Sequence, residues 1–373
     1  MSQRIIIQIQ SGSEDSGGIA NYISLLVKSK IFSIYKYIVT VKKINKKLKK
    51  KYINAKLEIF DNRINFFNFM SKVFAVRSLS LKYENSILHS HALKIGLLTA
   101  FSRLFFNCKF IYTNHGLRYK QKRKYISFIF FLFEVFVMAL SEKYICIRDL
   151  DYHYLKSKIK LNFLLKKIEL IKLRLDIEEN QNRVRAFKFK PPYIMIGIGS
   201  LIDIKRPDKF VLLIDSLVKK GIPINAFWLG DGPLMREMIK LTRHLKLDIN
   251  WKGEVSKRTV YAYLNKASYL IQTSQFEVYP TVVLESFCCG TPVISTNYWG
   301  VDELIKDTIN GYIIESEYLN DEIKSIELVK TLFDKSRYKI ISENCKRDFY
   351  AHFHNHEYTS NKYKKIYENF FKI

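Results

Sequence analysis

Along the whole chain, short apolar runs alternate with longer stretches in which apolar residues recur every three or four positions. A period near two marks a strand and a period of 3.6 an amphipathic helix, so the pattern predicts an α/β protein of parallel strands joined by crossover helices. The first half offers strands at 4–10, 37–41, 87–89, 110–113, 144–147 and 168–173; the second offers them at 193–198, 225–229, 249–251, 269–273, 292–295 and 311–314. At 373 residues the chain exceeds one ordinary core, which makes two domains the expectation. The stretch 178–192 turns polar, then basic, and closes on Pro191-Pro192, the strongest break in the pattern. The expected layout is a first domain at 1–178, a linker at 179–192, a second domain at 193–356 and a final helix at 357–373.

Composition narrows the class. An apolar share of 48% suits a folded protein. Five cysteines (Cys108, Cys146, Cys288, Cys289, Cys345) are odd in number and lack ligand-like spacing, which points to a reducing compartment rather than a disulfide framework or a zinc site. The opening run Ile5-Ile6-Ile7 is too short for the apolar core of a signal peptide, so a cytoplasmic protein is expected.

Charge adds an expectation about partners. The net charge is +27, and it is uneven: residues 1–180 carry 33 basic and 13 acidic side chains, residues 181–373 carry 29 and 22. A field this lopsided favours an anionic partner for the first half, either nucleic acid or an anionic membrane. The basic run 42–51 reads as a solvated helix or loop. A second basic run, 118–124, leads into 126–140, which is apolar except for Ser127 and Glu134. Fifteen residues fall short of a bilayer span, so this is either a core helix or a helix that docks partway into an anionic membrane surface.

Candidate chemistry concentrates late in the chain. Glu277 and Glu285 stand eight apart in a segment broken by Pro280, with a helix starting at Thr281 or Val282. A helix start exposes backbone N–H groups that bind anions. One acid can hold sugar hydroxyls, the amides a diphosphate, and the other acid the hydroxyls of a ribose. Downstream come Gly290-Thr291-Pro292-Val293-Ile294, Gly300, Glu303 and Asn310-Gly311. Upstream, ligands of doubly wound sheets sit beyond the carboxyl ends of strands, and there the chain has a glycine-bearing loop 11–18, His89-Ser90-His91, His115-Gly116 and Gly197-Ile198-Gly199-Ser200 running to Lys205-Arg206. Metal binding by the histidines is disfavoured, because no acidic or thiol ligand is spaced to join them.

From Pro192 to Ile314, and less completely before that, the chain resembles the retaining nucleotide-sugar glycosyltransferases of the GT-B fold, family 4 (glycosyl transferases group 1). The resemblance implies two Rossmann-like domains facing across a cleft and a final helix returning to the first domain. It implies transfer of a hexose or N-acetylhexosamine from a nucleoside diphosphate sugar to a saccharide acceptor, with retention and without a metal ion or other cofactor. It places Glu277 and His115 at the catalytic centre, Gly17, Gly18, Lys205, Thr281, Val282 and Glu285 on the donor, and His91 along the acceptor cleft. Ser200 stands where the family has an arginine on the diphosphate, and Arg206 is the neighbouring candidate to replace it. Leu173-Arg174 and Arg148 also depart from the family pattern. With the basic first half, the expected acceptor is a lipid-linked saccharide at the inner face of the plasma membrane, in synthesis of capsule, O-antigen or exopolysaccharide. A nucleic-acid-binding protein would account for the charge, but no nucleic-acid-binding module is present in the sequence and no nucleic acid is expected as partner. A GT-B relative that binds donor without transfer, and a sugar-nucleotide epimerase, are the remaining alternatives.

Overall fold

The computed structural model describes residues 4–10, 18–29, 35–61, 63, 65, 67–117, 123–175, 189–315 and 330–371. The loop 11–17 with Gly17, residues 118–122 of the second basic run, Asp176 and the 179–188 part of the expected linker lie outside them. Contacts divide the chain into two compact units, the first being Met1–Leu173 with Asn355–Ile373 and the second Arg174–His354.

The first unit is a seven-stranded parallel sheet. Its strands are β1 (Ile5–Ile9), β2 (Lys36–Val41), β3 (Ala55–Ile59), β4 (Ser86–His91), β5 (Phe110–Asn114), β6 (Lys143–Cys146) and β7 (Ile168–Leu170), in the order β3-β2-β1-β4-β5-β6-β7. The central strand β1 is buried at every position, as expected of a parallel strand covered on both faces. The order reverses direction between β1 and β4, and the carboxyl ends of these strands form the place where such sheets bind ligands. The terminal helix His356–Phe371 belongs to this unit, with Tyr363 and Tyr367 fully buried.

The edge strand β3 is absent from the sequence-based reading. It has the pattern Ala-Lys-Leu-Glu-Ile, is nowhere fully buried, and pairs only with β2. An edge strand buries little and carries charge as protection against further pairing, so its apolar signal is weak.

The helix Lys124–Leu140 has two faces. Val137 and Met138 are buried together with Glu134, while Tyr125, Phe128, Ile129, Leu132 and Phe133 are 41–61% exposed. A helix sunk wholly in the core is therefore excluded. Among the described residues no helix is long and apolar enough to cross a membrane.

The second unit repeats the architecture with six parallel strands: β8 (Tyr193–Ile198), β9 (Ile224–Leu229), β10 (Ile249–Trp251), β11 (Tyr269–Gln272), β12 (Val293–Thr296) and β13 (Gly311–Ile314), in the order β10-β9-β8-β11-β12-β13. At the ends of β8 and β9 the backbones of Gly199 and Gly230 nearly touch. A side chain on Gly230 would start 2.0 Å from the Gly199 carbonyl oxygen, and Gly230 has φ +139°, so only glycine fits. Trp228 closes this corner by donating its indole N–H to the Gly199 oxygen at 3.0 Å.

Candidate functional site

In the second unit, the chemistry gathers where β8 and β11 end. A short turn, Asp203–Lys205, follows β8, and its backbone is tied to the segment after β11: Gln275 N–H donates to the Ile204 carbonyl (2.8 Å) and Thr273 Oγ1 to the Lys205 carbonyl (3.0 Å). This brings Lys205 onto Glu277. Three donors converge on one carboxylate oxygen: Lys205 Nζ in an ion pair, Ser274 Oγ at 2.6 Å and Gln272 Nε2 at 3.4 Å all meet Glu277 Oε1. Among the described residues Oε2 has no such donor, and the two side chains keep 12% (Glu277) and 25% (Lys205) of their surface open to solvent. One carboxylate oxygen is thus held rigidly and the other is left to accept from a ligand.

The helix Thr281–Cys288 begins just beyond. Pro280 is its N-cap and offers no side-chain cap, so the amides of Thr281 and Val282 depend on another acceptor. Glu285 lies one turn in, 3% exposed, and pairs with Lys257, which opens the helix Lys257–Leu264. The structure brings Lys205 onto Glu277, four residues ahead of the helix start at Thr281 and Val282, while Glu285 pairs with Lys257. It does not bring Arg206 there. That residue sits at φ +47° and directs its guanidinium to both carboxylate oxygens of Asp208 at 3.2 Å rather than to Glu277.

In the first unit, a different chemistry occupies the strand ends. His91 closes β4 and His115 directly follows β5, and His115 Nε2 lies 2.9 Å from His91 Nδ1. His91 Nε2 meets Gln8 Oε1 at 2.6 Å. Behind them His89 is held between the Tyr367 hydroxyl at Nδ1 (2.8 Å) and Thr113 Oγ1 at Nε2 (2.7 Å). Thr113 Oγ1 continues to the Tyr363 hydroxyl (3.0 Å), which shares a 2.6 Å hydrogen bond with Tyr22. Burial holds His89 down at about 3, with the nearby His115 adding to the effect; His91 is likewise held well below its ordinary value by burial and then by the neighbouring imidazoles. Both are neutral at physiological pH.

His91 corrects an expectation. It has no exposed surface, so it does not line a cleft; it holds His115, which retains 8% exposure. Gly18, the described glycine of the loop, is exposed at the start of the helix Gly18–Lys28.

Beneath His115, Asn114 Oδ1 accepts from the Gly116 N–H at 2.6 Å and shapes the turn, where Gly116 has φ +92°. Asn114 is itself anchored by donating to Glu134 (3.0 Å) and Tyr144 (2.8 Å). Burial raises Glu134 to about 7, against the lowering effect of its hydrogen bonds to Tyr144 and Asn114. The acid in the middle of the apolar helix is therefore an inward anchor for the His115 turn.

Residues missed by the sequence reading include Ser274, Gln272, Lys257, Gln8 and Glu134 as members of these clusters. The signal for Gln8 was present: a glutamine inside an isoleucine-rich central strand is a buried polar group that requires partners. Among the described residues no group of three or more His, Cys, Asp or Glu side chains is arranged to hold a metal ion.

Comparison with known proteins adds to this geometry. The family model for glycosyl transferases group 1 matches residues 178–347. The UDP-Gal:alpha-D-GlcNAc-diphosphoundecaprenol alpha-1,3-galactosyltransferase of Escherichia coli is 24% identical over 296 residues, 74% of each chain. An N-acetylgalactosamine-N,N'-diacetylbacillosaminyl-diphospho-undecaprenol 4-alpha-N-acetylgalactosaminyltransferase of Campylobacter jejuni is 24% identical over 181 residues, 48% of each chain. Among solved structures, Anabaena HepE in complex with UDP and glucose superposes with a TM-score of 0.73 at 15% identity, covering 98% of this chain and 100% of that one. Its fold is shared.

Proposed function

We propose that this chain, a GT-B-fold glycosyltransferase whose residues 178–347 match the glycosyl transferases group 1 model, moves a hexose or N-acetylhexosamine from a nucleoside diphosphate sugar to a lipid-linked saccharide. The reaction is transfer with retention at the anomeric carbon, in the family 4 manner, during assembly of a bacterial surface polysaccharide such as capsule, O-antigen or exopolysaccharide. The observation that carries this reading is the convergence of Lys205, Ser274 and Gln272 on one oxygen of Glu277 at the carboxyl ends of β8 and β11. A carboxylate fixed in this way, beside an ammonium and an uncapped helix start, suits sugar hydroxyls adjoining a diphosphate.

In the proposed step the bond from the anomeric carbon to the diphosphate oxygen breaks and a bond to the acceptor oxygen forms on the same face. Lys205 and the amides of Thr281 and Val282 offset the charge growing on the diphosphate, whose oxygen takes the acceptor proton. Glu277 orients the sugar, Glu285 takes the ribose hydroxyls after exchanging Lys257, and His115 acts on the reacting sugar. The scheme draws on no metal ion, no other cofactor and no nucleic acid. The two curated relatives support the acceptor class, since their names carry diphosphoundecaprenol acceptors and alpha linkages.

Membrane contact follows from the first unit. The exposed stripe Tyr125, Phe128, Ile129, Leu132 and Phe133 begins beside Arg123 and Lys124, a combination suited to the interface of an anionic bilayer, here the inner face of the plasma membrane.

A thermal-shift screen with UDP-, GDP- and ADP-sugars tests donor binding before any acceptor is known. Stabilisation by one nucleotide class is expected; no shift with any of them sinks the donor reading. Co-sedimentation with vesicles rich in anionic lipid, lost in Phe128→Asp, tests the membrane contact, and equal pelleting with neutral vesicles would remove it.

A further inference from the structure

The network behind His115 has one remaining freedom, the direction in which its hydrogen bonds run. Gln8 decides it. The amide oxygen of Gln8 faces His91 Nε2 at 2.6 Å, and its amino group faces the Tyr367 hydroxyl at 3.4 Å. An oxygen can only accept, so His91 must carry its proton on Nε2. A neutral imidazole then has a bare Nδ1, which can only accept, and the atom facing it is His115 Nε2. His115 therefore keeps a proton on Nε2 whether the ring is neutral or charged, and Nδ1 is the nitrogen at which a proton comes and goes.

The placement of Gln8 sets the sense of the rest of the network. The residue is fully buried in β1, with its Cα opposite His89 of β4, and its amino group donates to the Tyr367 oxygen. Tyr367 in turn can donate to His89 Nδ1, leaving His89 Nε2 to donate to Thr113. Every bond then runs one way, from His115 through His91, Gln8 and Tyr367 to His89 and Thr113. Turning the Gln8 amide over would set an N–H against His91 Nε2, move the His91 proton to Nδ1 and reverse the tautomer of a neutral His115.

We propose that Gln8 is a positioning residue for His115, fixing through His91 the imidazole proton on Nε2 and making Nδ1 the basic nitrogen that works on the substrate. The substrate-facing half of this statement rests on the transferase reading above. The relay itself does not, because all its members belong to the first unit and exist without donor or acceptor.

Long-range proton–nitrogen correlation spectra of the full chain, labelled with 15N-histidine, read the tautomers directly. Neutral His91 and His115 should both show the proton on Nε2 in the unaltered protein, a measurement that no folding defect can confound. In Gln8→Leu the His91 signal should become a mixture of tautomers, and kcat for transfer should fall by about tenfold with the donor KM little changed, the lower end of the loss seen when a supporting partner of a functional histidine is removed. Gln8→Glu, read at a pH where its carboxyl is ionised and can only accept, should restore the single tautomer and recover most of the lost kcat. A proton on Nδ1 of His115 in the unaltered protein, or unchanged tautomers in Gln8→Leu, overturns the relay. Undiminished transfer by His115→Ala would instead overturn the transferase role of His115, and the spectra separate that failure from failure of the relay.

Discussion

The two units share strand order around their central strands yet end those strands in opposite chemistries. In the second unit the strand ends carry full charges in ion pairs, Lys205 with Glu277 and Lys257 with Glu285, with the lysines partly open to solvent. In the first unit they carry a neutral, closed network of imidazole, amide and hydroxyl groups. The difference follows from what each must do. Charge pairs near water can be exchanged for a ligand's charges at small net cost, which suits reversible capture of a diphosphate. A buried neutral network cannot be exchanged cheaply, but it holds one proton at one nitrogen, which suits orienting a single reactive group.

The comparison can be broken most forcefully by substitution at each centre. Glu277→Ala should lower transfer by about a thousandfold if the proposed role at the reacting sugar holds, while His115→Ala should cost about a hundredfold. A donor-hydrolysis or transfer assay with both variants decides the order, and unchanged turnover in Glu277→Ala would take that residue out of the site.

Glu285→Ala should weaken nucleotide binding by about ten- to a hundredfold through loss of charge-assisted hydrogen bonds, with kcat changed less. Calorimetry that finds equal affinity would place the ribose elsewhere.

Acid should separate the units. The folded values of His89 and His91 lie below the ordinary 6.5, so between pH 6.5 and about 4.5 the unfolded chain holds two more protons on them than the folded chain. Glu134, raised from 4.5 to about 7, opposes this with one proton retained by the folded chain. The balance is a loss for the first unit of about 1.4 kcal/mol per pH unit on acidification, roughly doubling from pH 4.5 down to about 3, where His89 accepts its proton. The described histidines of the second unit, His244, His352 and His354, are not buried. All three tryptophans, Trp228, Trp251 and Trp299, lie in the second unit. Circular dichroism should therefore begin to fall at higher pH than tryptophan fluorescence changes; coincident transitions would show that the network does not set the acid limit.

The smallest expected effect sharpens the charged side of the contrast. Ser200→Arg adds a cation near Lys205 and should tighten nucleoside diphosphate binding by about tenfold at low salt, less as salt rises. A titration insensitive to the substitution would place the diphosphate away from the end of β8.

Most of the strands were legible because interior parallel strands are continuous apolar runs, and Glu277, Glu285, Lys205 and His115 stood out as candidates because they are polar residues at strand ends and helix starts. The edge strand β3 was not, since Lys56 and Glu58 interrupt its apolar pattern and its Ile59 is left exposed. Arg206 was read as a phosphate ligand from its position in the chain, and in the structure its guanidinium meets Asp208, a pairing that no local pattern announces. His91 was placed beside a ligand for the same reason and proved to be sealed under its neighbours.

Periodicity alone was enough to define parallel α/β sheets in both halves of the chain, because burial on both faces of a strand is written in local sequence. Which oxygen of Glu277 is held depends on Lys205, Ser274 and Gln272, and which carboxylate anchors the His115 turn and which nitrogen of His115 keeps its proton depend on groups as far apart as Gln8, Glu134 and Tyr367. Only folding brings those groups within hydrogen-bond distance, and at that range the direction of each bond is set by atoms that no linear pattern places together.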